Sequence, residues 1–404
     1  MNMGGTVMPK AVSCTRELHA MGGPGLFISG YSEDCLPHLL NEYAGKVQLI
    51  YLDPPFGTGE LFRMRLGGKT IQRTAYTDVM TRENYLSMMQ TILKGCYELL
   101  ASSGSLYLHV DYRMAAPLRM MLDKVFGAGN LMNEIIWSYQ SGGRSTAHFP
   151  RKHDVILFYR KSKSVYFNIE AVGIPRGPER RNHMKRYIDG QGKVCYSIRS
   201  GGRLYTYRED SLVYPSDVWT DIEHLHQRDP ERTGYATQKP EALLQRILLA
   251  SSKEGDLIAD LFSGSGTTAA VASKNGRRFI ACDSSPYALY AIRRRLCEQH
   301  NALNLFENSQ PLELRFAAST PDVFVDASLH VNDGIWNCEV ATFSSNTNSA
   351  PVYCALGVIE NDLFIPGAYA FAPSLPMALY MPGKDGTAAL QIMDTDGRQG
   401  FWLL

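Results

Sequence analysis

The spacing of apolar and polar residues along the chain predicts a sheet of buried parallel strands. Four segments are almost continuously apolar and end at polar or glycine-rich residues: 47–52, 105–110, 256–262 and 278–282. Continuous apolar runs of this length are typical of strands that are covered on both faces. We therefore expect these strands to lie in the interior of an α/β domain.

Amphipathic segments between these strands predict helices. One apolar face is formed by Tyr85, Met88, Met89, Ile92, Cys96 and Leu99, and another by Leu243, Leu244, Ile247 and Leu248. Pro240 suits the first turn of the second helix, where its missing N–H costs nothing. A third helix is expected from Pro286 to about Gln299. Strands that alternate with helices in this way indicate a doubly wound α/β fold.

Two parts of the chain depart from this alternation. Residues 141–232 are rich in Arg, Gly, Tyr and Ser and contain short strand-like pieces at 155–159 and 194–198, so we interpret them as an insertion. After about residue 315, short apolar runs are broken by Gly, Pro, Asn and Asp, which predicts a small β-rich extension. The predicted units are a first half at 1–140, the insertion at 141–232, a second half at 233–312 and the extension at 313–404.

The composition is that of a globular protein with a large core. The chain has 404 residues, of which 45% are hydrophobic and 20% charged, and this length allows two or three domains. It contains no apolar run of about 18 residues, so we expect no membrane-spanning helix, and residues 1–20 lack the apolar segment of a signal peptide. The eight cysteines are scattered without a CxxC pair, so we expect neither a metal site nor disulfides, and a cytoplasmic location fits best.

The net charge of +1 hides a strong asymmetry between segments. Residues 144–208 contain 15 Lys and Arg against 4 Asp and Glu, a local balance of +11. Residues 311–404 contain 3 Lys and Arg against 10 Asp and Glu, a balance of −7. The basic segment is either a solvated surface or a binding surface for a polyanion. Nucleic acid would repel the acidic tail, which we expect to face elsewhere.

The first motif whose residues could take part in a reaction is Asp-Pro-Pro-Phe at 53–56, directly after an apolar strand. Open α/β sheets place their sites at such carboxyl ends of strands. Two prolines remove two backbone donors and leave carbonyl groups free to accept hydrogen bonds. Asp53 and the Pro54 carbonyl could each accept a hydrogen bond from one amino group, and Phe56 could stack on a flat ring. Alone, the motif could also be an ordinary turn at the end of a strand, which is the less favoured interpretation.

The second motif is a glycine-containing loop at 260–268, Asp-Leu-Phe-Ser-Gly-Ser-Gly-Thr-Thr, between a strand and a helix. It lacks the Gly-Lys-Thr/Ser of a phosphate-binding P-loop. Its spacing of Gly264, Gly266 and Ala269 fits a loose dinucleotide fingerprint, and Asp283 ends the next strand, where ribose hydroxyls are usually held. The loop therefore indicates a cofactor that contains adenosine, and a nicotinamide-dependent dehydrogenase remains an alternative.

The third motif is Thr-Gln-Lys-Pro at 237–240. Thr237 could cap the helix that follows, and Lys239 near a helix N-terminus would favour a carboxylate ligand. An ordinary capped helix start is the simpler interpretation of this motif alone. His109 and Asp111 end a further strand and could line the same site, although we interpret His109 as a structural, hydrogen-bonded residue.

Together and in this order, the three motifs resemble those of the amino-group DNA methyltransferases of the β arrangement. The similarity covers roughly residues 26–300 and includes the connecting stretches 133–137, 153–159 and 217–219. It implies an α/β, permuted class I (Rossmann-like) methyltransferase fold, in which a catalytic half precedes a basic target-recognition insertion and a cofactor-binding half. The tail after about 315 matches no part of this family that we can name.

The resemblance also implies an enzyme with S-adenosylmethionine as its cofactor and double-stranded DNA as its substrate. Its implied catalytic residues are Asp53, Pro54, Pro55 and Phe56. Its implied cofactor-binding residues are Thr237, Lys239, Asp260, Phe262, Ser263, Gly264, Ser265, Gly266, Thr267, Thr268 and Asp283. The target base would be flipped out of the duplex to reach the cofactor. Because Asp begins the catalytic motif, adenine N6 is the expected target, and cytosine N4 remains open.

The sequence departs from the family pattern at two places. Leu261 stands where the family usually has proline, and Gly-Tyr-Ser at 30–32 replaces its Gly-Asp-Asn near the adenine pocket, so that Glu33 or Asp34 could serve instead. A DNA-binding module without activity and a methyltransferase acting on RNA or protein are further alternatives. A homodimer, a partner from a restriction system and the recognition sequence are left open by the sequence.

Overall fold

The protein is described by a computed structural model. It describes residues 10–12, 16–19, 25–55, 61–65, 72–77, 80–140, 145–176, 183–226, 228–235, 237–303, 312–316, 323–347 and 349–404. The α-helices are α1 (Ser32–Tyr43), α2 (Arg82–Leu99), α3 (Tyr112–Leu122), α4 (Glu241–Ser251), α5 (Thr267–Lys274) and α6 (Pro286–Leu303). None of the helices in these ranges is long and apolar enough to cross a membrane.

The strands of the described residues are numbered in chain order. The first fifteen are β1 (Lys10–Val12), β2 (Arg16–His19), β3 (Gly25–Ser29), β4 (Val47–Leu52), β5 (Leu61–Arg65), β6 (Gln72–Thr77), β7 (Leu100–Val110), β8 (Leu131–Ser138), β9 (His153–Arg160), β10 (Ile174–Pro175), β11 (Lys185–Ile188), β12 (Val194–Ser200), β13 (Arg203–Arg208), β14 (Leu212–Val213) and β15 (Val218–Trp219). The others are β16 (Leu257–Asp260), β17 (Arg278–Asp283), β18 (Leu312–Phe316), β19 (Val323–Asn332), β20 (Ile335–Ser345), β21 (Pro351–Glu360), β22 (Leu363–Phe371), β23 (Met377–Pro382), β24 (Thr387–Asp394) and β25 (Gln399–Leu403).

One large sheet forms the centre of the protein. Along one part of this sheet the strand order is β18-β3-β17-β16-β4-β7-β9-β8-β15. The pairs from β18 to β7 are all parallel, and β9 runs antiparallel between β7 and β8. The chain builds outward on both sides of the β16–β4 pair, so this pair marks the point where the strand order reverses. Ligands of open α/β sheets bind at the carboxyl ends of strands at such a point.

Helices cover both faces of this sheet because its strands are apolar on both sides. Helices α1, α2 and α3 pack on one face, around buried side chains that include Met89, Ile92 and Leu118. Helices α4, α5 and α6 pack on the other face, where Leu243, Ile247 and similar side chains meet the strands. The result is a three-layer α/β/α arrangement, as the alternation of strands and helices predicts.

The C-terminal strands continue the same sheet. The order β1-β25-β24-β21-β22-β2-β18 joins them to the parallel strands through β2, which pairs with both β18 and β22. One face of these strands packs on α6 and the other on the three-stranded sheet β19-β20-β23. A buried ion pair of 2.7 Å between Arg293 of α6 and Glu17 of β2 reinforces the junction. Gln399 of β25 accepts a hydrogen bond from the same guanidinium.

The structure also corrects details of the expected elements. Strand β4 has the predicted bounds, whereas β7 begins earlier, at Leu100, and α6 continues to Leu303. Pro240 is not in the first turn of α4 but at its N-cap, in an extended conformation (φ −67°, ψ 142°). Strand β9 lies within 141–232 yet pairs inside the large sheet. The division of the chain into four units stays a prediction.

Candidate active site at the strand order reversal

Asp53 and Asp260 mark the site, because they follow or end the two central strands of the sheet. Strand β4 delivers Asp53 and its neighbour β16 ends at Asp260. A cavity opens at this edge and contains most of the residues that the sequence singles out: Asp53, Pro55, Thr237, Lys239, Asp260, Phe262, Ser263, Gly264, Ser265, Thr267, Thr268 and Asp283. Pro54 and Gly266 are adjacent to lining residues, and Phe56 lies outside the described residues. The fold thus gathers motifs that are about 200 residues apart.

Lys239 forms an ion pair with Asp53 in the lining of the cavity. The ammonium group bonds to Asp53 Oδ2, and both side chains are largely buried, with 10% and 16% exposure. Asp53 Oδ1 is also buried, and no residue that the structure describes donates a hydrogen bond to it. The carboxylate therefore has one oxygen committed to Lys239 and one available as an acceptor inside the cavity.

The loop after β16 is held in shape by Asp260. Its two carboxylate oxygens accept hydrogen bonds from the Phe262 backbone N–H, at 3.1 Å, and from the Thr268 hydroxyl, at 2.5 Å. Burial, together with the charges of Asp53 and Asp283, raises the pKa of Asp260 to about 7 despite these hydrogen bonds. Through these hydrogen bonds, Asp260 fixes the start of α5 relative to the end of β16.

Two glycines let this loop turn tightly into α5. Gly264 and Gly266 both have positive φ values, 49° and 74°, which glycine adopts without steric cost. A Cβ atom on Gly266 would lie 2.7 Å from a side-chain carbon of Ile292. The loop therefore approaches α6 so closely at this position that only glycine fits. This packing brings backbone groups to the cavity surface.

Asp283 ends β17, the strand next to β16, and faces the same cavity. It accepts hydrogen bonds of 2.8 Å from the backbone N–H groups of Gly264 and Ser285. Burial raises its pKa to about 6, against the lowering effect of these hydrogen bonds. Each carboxylate oxygen keeps a further lone pair, so Asp283 can accept hydroxyl donors from a ligand. The Ser263 hydroxyl is buried nearby, without a hydrogen-bond partner among the described residues.

The Thr-Gln-Lys-Pro segment is fixed to the loop through Lys239. The Thr267 hydroxyl donates to the Lys239 carbonyl at 3.2 Å and accepts from Arg295 at 3.1 Å. Thr237 does not cap α4, contrary to the expectation, because Pro240 occupies the N-cap position and no side chain caps the helix. Thr237 lines the cavity instead. The expected carboxylate ligand of Lys239 stays a prediction; in the structure its ammonium group pairs with Asp53 of the protein itself.

A buried row of polar side chains adjoins the cavity at Tyr51. The Tyr51 hydroxyl bonds to His109 Nδ1 at 2.8 Å, and His109 Nε2 bonds to Asp154 Oδ2 at 3.1 Å. Burial alone would raise the pKa of Asp154, but its contact with His109 and the charge of Lys239 hold that pKa below its usual value. His109 is fully buried and bonded on both sides, as expected of a structural histidine. Asp111 accepts from the Arg113 backbone and caps α3.

Sequence reasoning did not identify Tyr51 as a lining residue. Its only signal is its position two residues before Asp53, which puts both side chains on one face of β4. Tyr31, Ser32 and Glu33, at the start of α1, also line the cavity, whereas Asp34 is exposed and does not. Of the two acids proposed for the adenine end, Glu33 is therefore the one that lines the cavity.

The basic segment presents an exposed antiparallel sheet of three strands, β11-β12-β13. Its exposed side chains include Lys185, Arg186, Arg199, Arg203 and Arg208. The aromatic side chains of Tyr187 and Tyr205 are exposed as well. Basic groups interleaved with aromatic rings suit a surface that binds nucleic acid.

Comparison with known proteins identifies the family of this chain. Residues 47–294 match a family model described as DNA methylase. Type II methyltransferase M.EcaI of Enterobacter cloacae is 27% identical over 363 residues, which cover 77% of this chain and 79% of that protein. DNA adenine methyltransferase YhdJ of Escherichia coli is 28% identical over 264 residues, covering 65% and 80%.

A solved structure of a DNA modification methylase from Thermus thermophilus, complexed with S-adenosyl-L-methionine, has 17% identity and a TM-score of 0.46. It is matched over 73% of this chain and its whole length. The family match itself spans more than half of the 404 residues and includes both central strands, most of the cavity and the basic segment. The chain therefore belongs to the DNA methylase family, which confirms the expected methyltransferase fold, the enzyme class and S-adenosylmethionine as the cofactor.

Proposed function

We propose that this protein methylates the N6 amino group of adenine in double-stranded DNA. The observation that carries the proposal is the position of Asp53, whose buried Oδ1 lacks a hydrogen-bond partner among the described residues. It lies at the reversal of strand order, in the same cavity as the loop after β16. A buried carboxylate oxygen without a donor is costly, and an amino group supplies the missing donor.

The residues present fit S-adenosylmethionine. A polar pocket wall lies at the end of β16. It contains the buried Ser263 hydroxyl, which has no hydrogen-bond partner among the described residues, and the acceptor Asp283. The positive φ values of Gly264 and Gly266 let the backbone turn tightly between them and α5. Asp283 would hold ribose hydroxyls, Glu33 would lie towards the adenine, and Thr237 and Lys239 would lie towards the methionine part. When bound, the cofactor supplies an electrophilic methyl group. These assignments rest on the lining of the cavity and on the family motifs.

The chain's own residues would orient the target base. A base must leave the duplex to reach a cavity of this kind. Asp53 Oδ1 and the Pro54 carbonyl would accept the two amino hydrogens, which turns the nitrogen lone pair away from them and towards the cofactor. Asp53 would also offset the positive charge that develops on that nitrogen. Phe56 would stack on the base; this role stays a prediction because Phe56 lies outside the described residues.

The basic segment would bind the phosphates. Lys185, Arg186, Arg199, Arg203 and Arg208 are exposed on one small sheet and its ends. Contacts of this kind neutralise phosphates and release counterions. Exposed arginines could also read guanine edges in the major groove. The division into a catalytic half, an insertion and a cofactor half is part of the same proposal.

Adenine is preferred over cytosine on two grounds. The motif begins with Asp53, and one of the relatives is named a DNA adenine methyltransferase. Cytosine N4 is the second candidate, because the same acceptors could bind its amino group. Other relatives are named as type II methyltransferases or as Mod subunits of type III restriction-modification enzymes. We therefore extend the proposal to a role beside a restriction enzyme; a homodimer stays a prediction that light scattering would check.

Nucleoside mass spectrometry tests the proposed reaction. Unmethylated genomic DNA is incubated with the protein and S-adenosylmethionine labelled in its methyl group, then digested to nucleosides. We expect labelled N6-methyl-2′-deoxyadenosine, and single-molecule sequencing of the same DNA should place it in one sequence context. Labelled N4-methyl-2′-deoxycytidine would select the second candidate, and DNA without label would refute amino methylation of DNA.

A further inference from the structure

The ion pair between Lys239 and Asp53 gives Lys239 a role beyond the cofactor, and this inference rests on the proposed function. We propose that Lys239 is a positioning residue for methyl transfer, which fixes the Asp53 carboxylate so that Oδ1 receives the target amino group. The resemblance assigns Lys239 to the methionine part of the cofactor. The geometry adds a direct connection to the group that binds the base.

The two oxygens of Asp53 are in different environments. Oδ2 bonds to the Lys239 ammonium group. Oδ1 is buried, with no donor among the described residues. An ion pair at one oxygen restricts rotation of the carboxylate about its last bond, so the second oxygen keeps one direction. A preorganised acceptor of this kind needs no rearrangement when charge develops on the substrate.

Lys239 can hold Asp53 in place because its own backbone is held. Its carbonyl accepts from the Thr267 hydroxyl at 3.2 Å. The preceding residue, Gln238, is 2% exposed and accepts from the Thr233 backbone N–H at 2.8 Å. Pro240 follows directly and restricts the backbone further. The flexible side chain of Lys239 therefore starts from a fixed backbone position, and its ammonium group is held by the ion pair with Asp53.

This arrangement joins the two halves of the site through one residue. Thr267 is the first residue of α5, directly after the loop that follows β16, and Asp53 directly follows β4. Lys239 contacts the first through its carbonyl and the second through its ammonium group. A displacement of the loop would therefore be transmitted to the carboxylate that accepts the amino group. Lys239 is 186 positions away from Asp53 in the sequence, so sequence spacing gives no sign of the contact.

Single-turnover kinetics separate the two roles of Lys239. Methyl transfer is measured at saturating DNA and saturating cofactor for the wild type, Lys239→Met and Lys239→Arg, and the cofactor Kd of each is measured by calorimetry. We expect Lys239→Met to lower the transfer rate at saturation about 10- to 100-fold, as for loss of a charged hydrogen bond. Lys239→Arg should recover part of the rate because it keeps the charge.

A matched control is Lys274→Met. Lys274 is also paired with a carboxylate, Glu241, at 2.6 Å, but it does not line the cavity. We expect this variant to leave both the transfer rate and the cofactor Kd within about twofold of the wild type. If Lys239→Met raises only the cofactor Kd and regains the full rate at saturation, Lys239 serves the cofactor alone and the inference is wrong.

A second measurement needs no catalysis. In the cofactor-free protein, Lys239→Met leaves Asp53 as a buried charge without its partner, so the unfolding temperature should fall. Adding Asp53→Asn to that variant removes the charge and should restore part of the loss. If the two changes are additive, the ion pair does not couple them and the inference fails. A wild type that transfers no methyl group to any DNA would instead refute the proposed function.

Discussion

The turn from the cofactor loop into α5 depends on a glycine, and replacing Gly266 with alanine tests how the site is built. Gly266 has φ +74°, and a Cβ atom would lie 2.7 Å from Ile292 Cγ1 and 3.0 Å from Ile292 Cβ. Ile292 is fully buried on α6, so it has little room to move. The positive φ costs alanine about 1–2 kcal/mol, and overpacking adds about 1–3 kcal/mol. We expect a total loss of about 2–5 kcal/mol in the free energy of unfolding.

Gly255→Ala is the matched control, because Gly255 has φ +83° but no heavy atom within 4 Å of its Cβ position. It should lose only the backbone contribution of about 1–2 kcal/mol. Urea unfolding of both variants gives the difference, and calorimetry gives the cofactor affinity, which should fall only in Gly266→Ala. Equal losses in the two variants, with unchanged cofactor binding, would refute the close approach of the loop to α6.

Three further predictions concern charge. Because burial raises the pKa of Asp260 to about 7 and of Asp283 to about 6, both bind more protons when folded than when unfolded between about pH 4 and 7. Melting curves of the cofactor-free protein should therefore show stability falling as pH rises through this window, while cofactor affinity rises; a stability that rises there would contradict these pKa directions. Glu17→Ala leaves Arg293 buried without its ion pair and should lower the free energy of unfolding, measured in urea, by about 3–5 kcal/mol. A loss below about 1 kcal/mol, which is typical of an exposed pair, would contradict this prediction. Removing the charge of Arg199 should reduce the magnitude of the slope of log K against log salt for DNA binding by about 1, and an unchanged slope would remove Arg199 from the interface.

Local sequence patterns are sufficient to predict the core of the methyltransferase fold. The apolar run at 47–52 coincides with β4 because a strand covered on both faces has no polar position that must reach solvent. The glycine loop and Asp283 are expected to share a site, and both line the cavity. These features depend on contacts close in sequence or on motifs at strand ends, where topology leaves few alternatives.

Contacts between distant segments cannot be predicted in this way. The ion pair of Lys239 with Asp53 and the hydrogen bond from Tyr51 to His109 join residues 186 and 58 positions apart. The sequence predicts a small β-rich extension after residue 315, and it does not indicate that β21, β22, β24 and β25 of this extension continue the large sheet through β2. Pairing of this kind depends on which edges meet, and a strand pattern specifies only the faces that are buried.

The central claim is that Asp53 acts on the target amino group and not on the cofactor. Its most direct test is Asp53→Ala, with single-turnover methyl transfer and cofactor affinity measured on the same preparation. We predict a transfer rate reduced at least about 10²- to 10³-fold, as for loss of one preorganised electrostatic group, together with cofactor binding that largely survives. Retained methyl transfer in this variant would contradict the account.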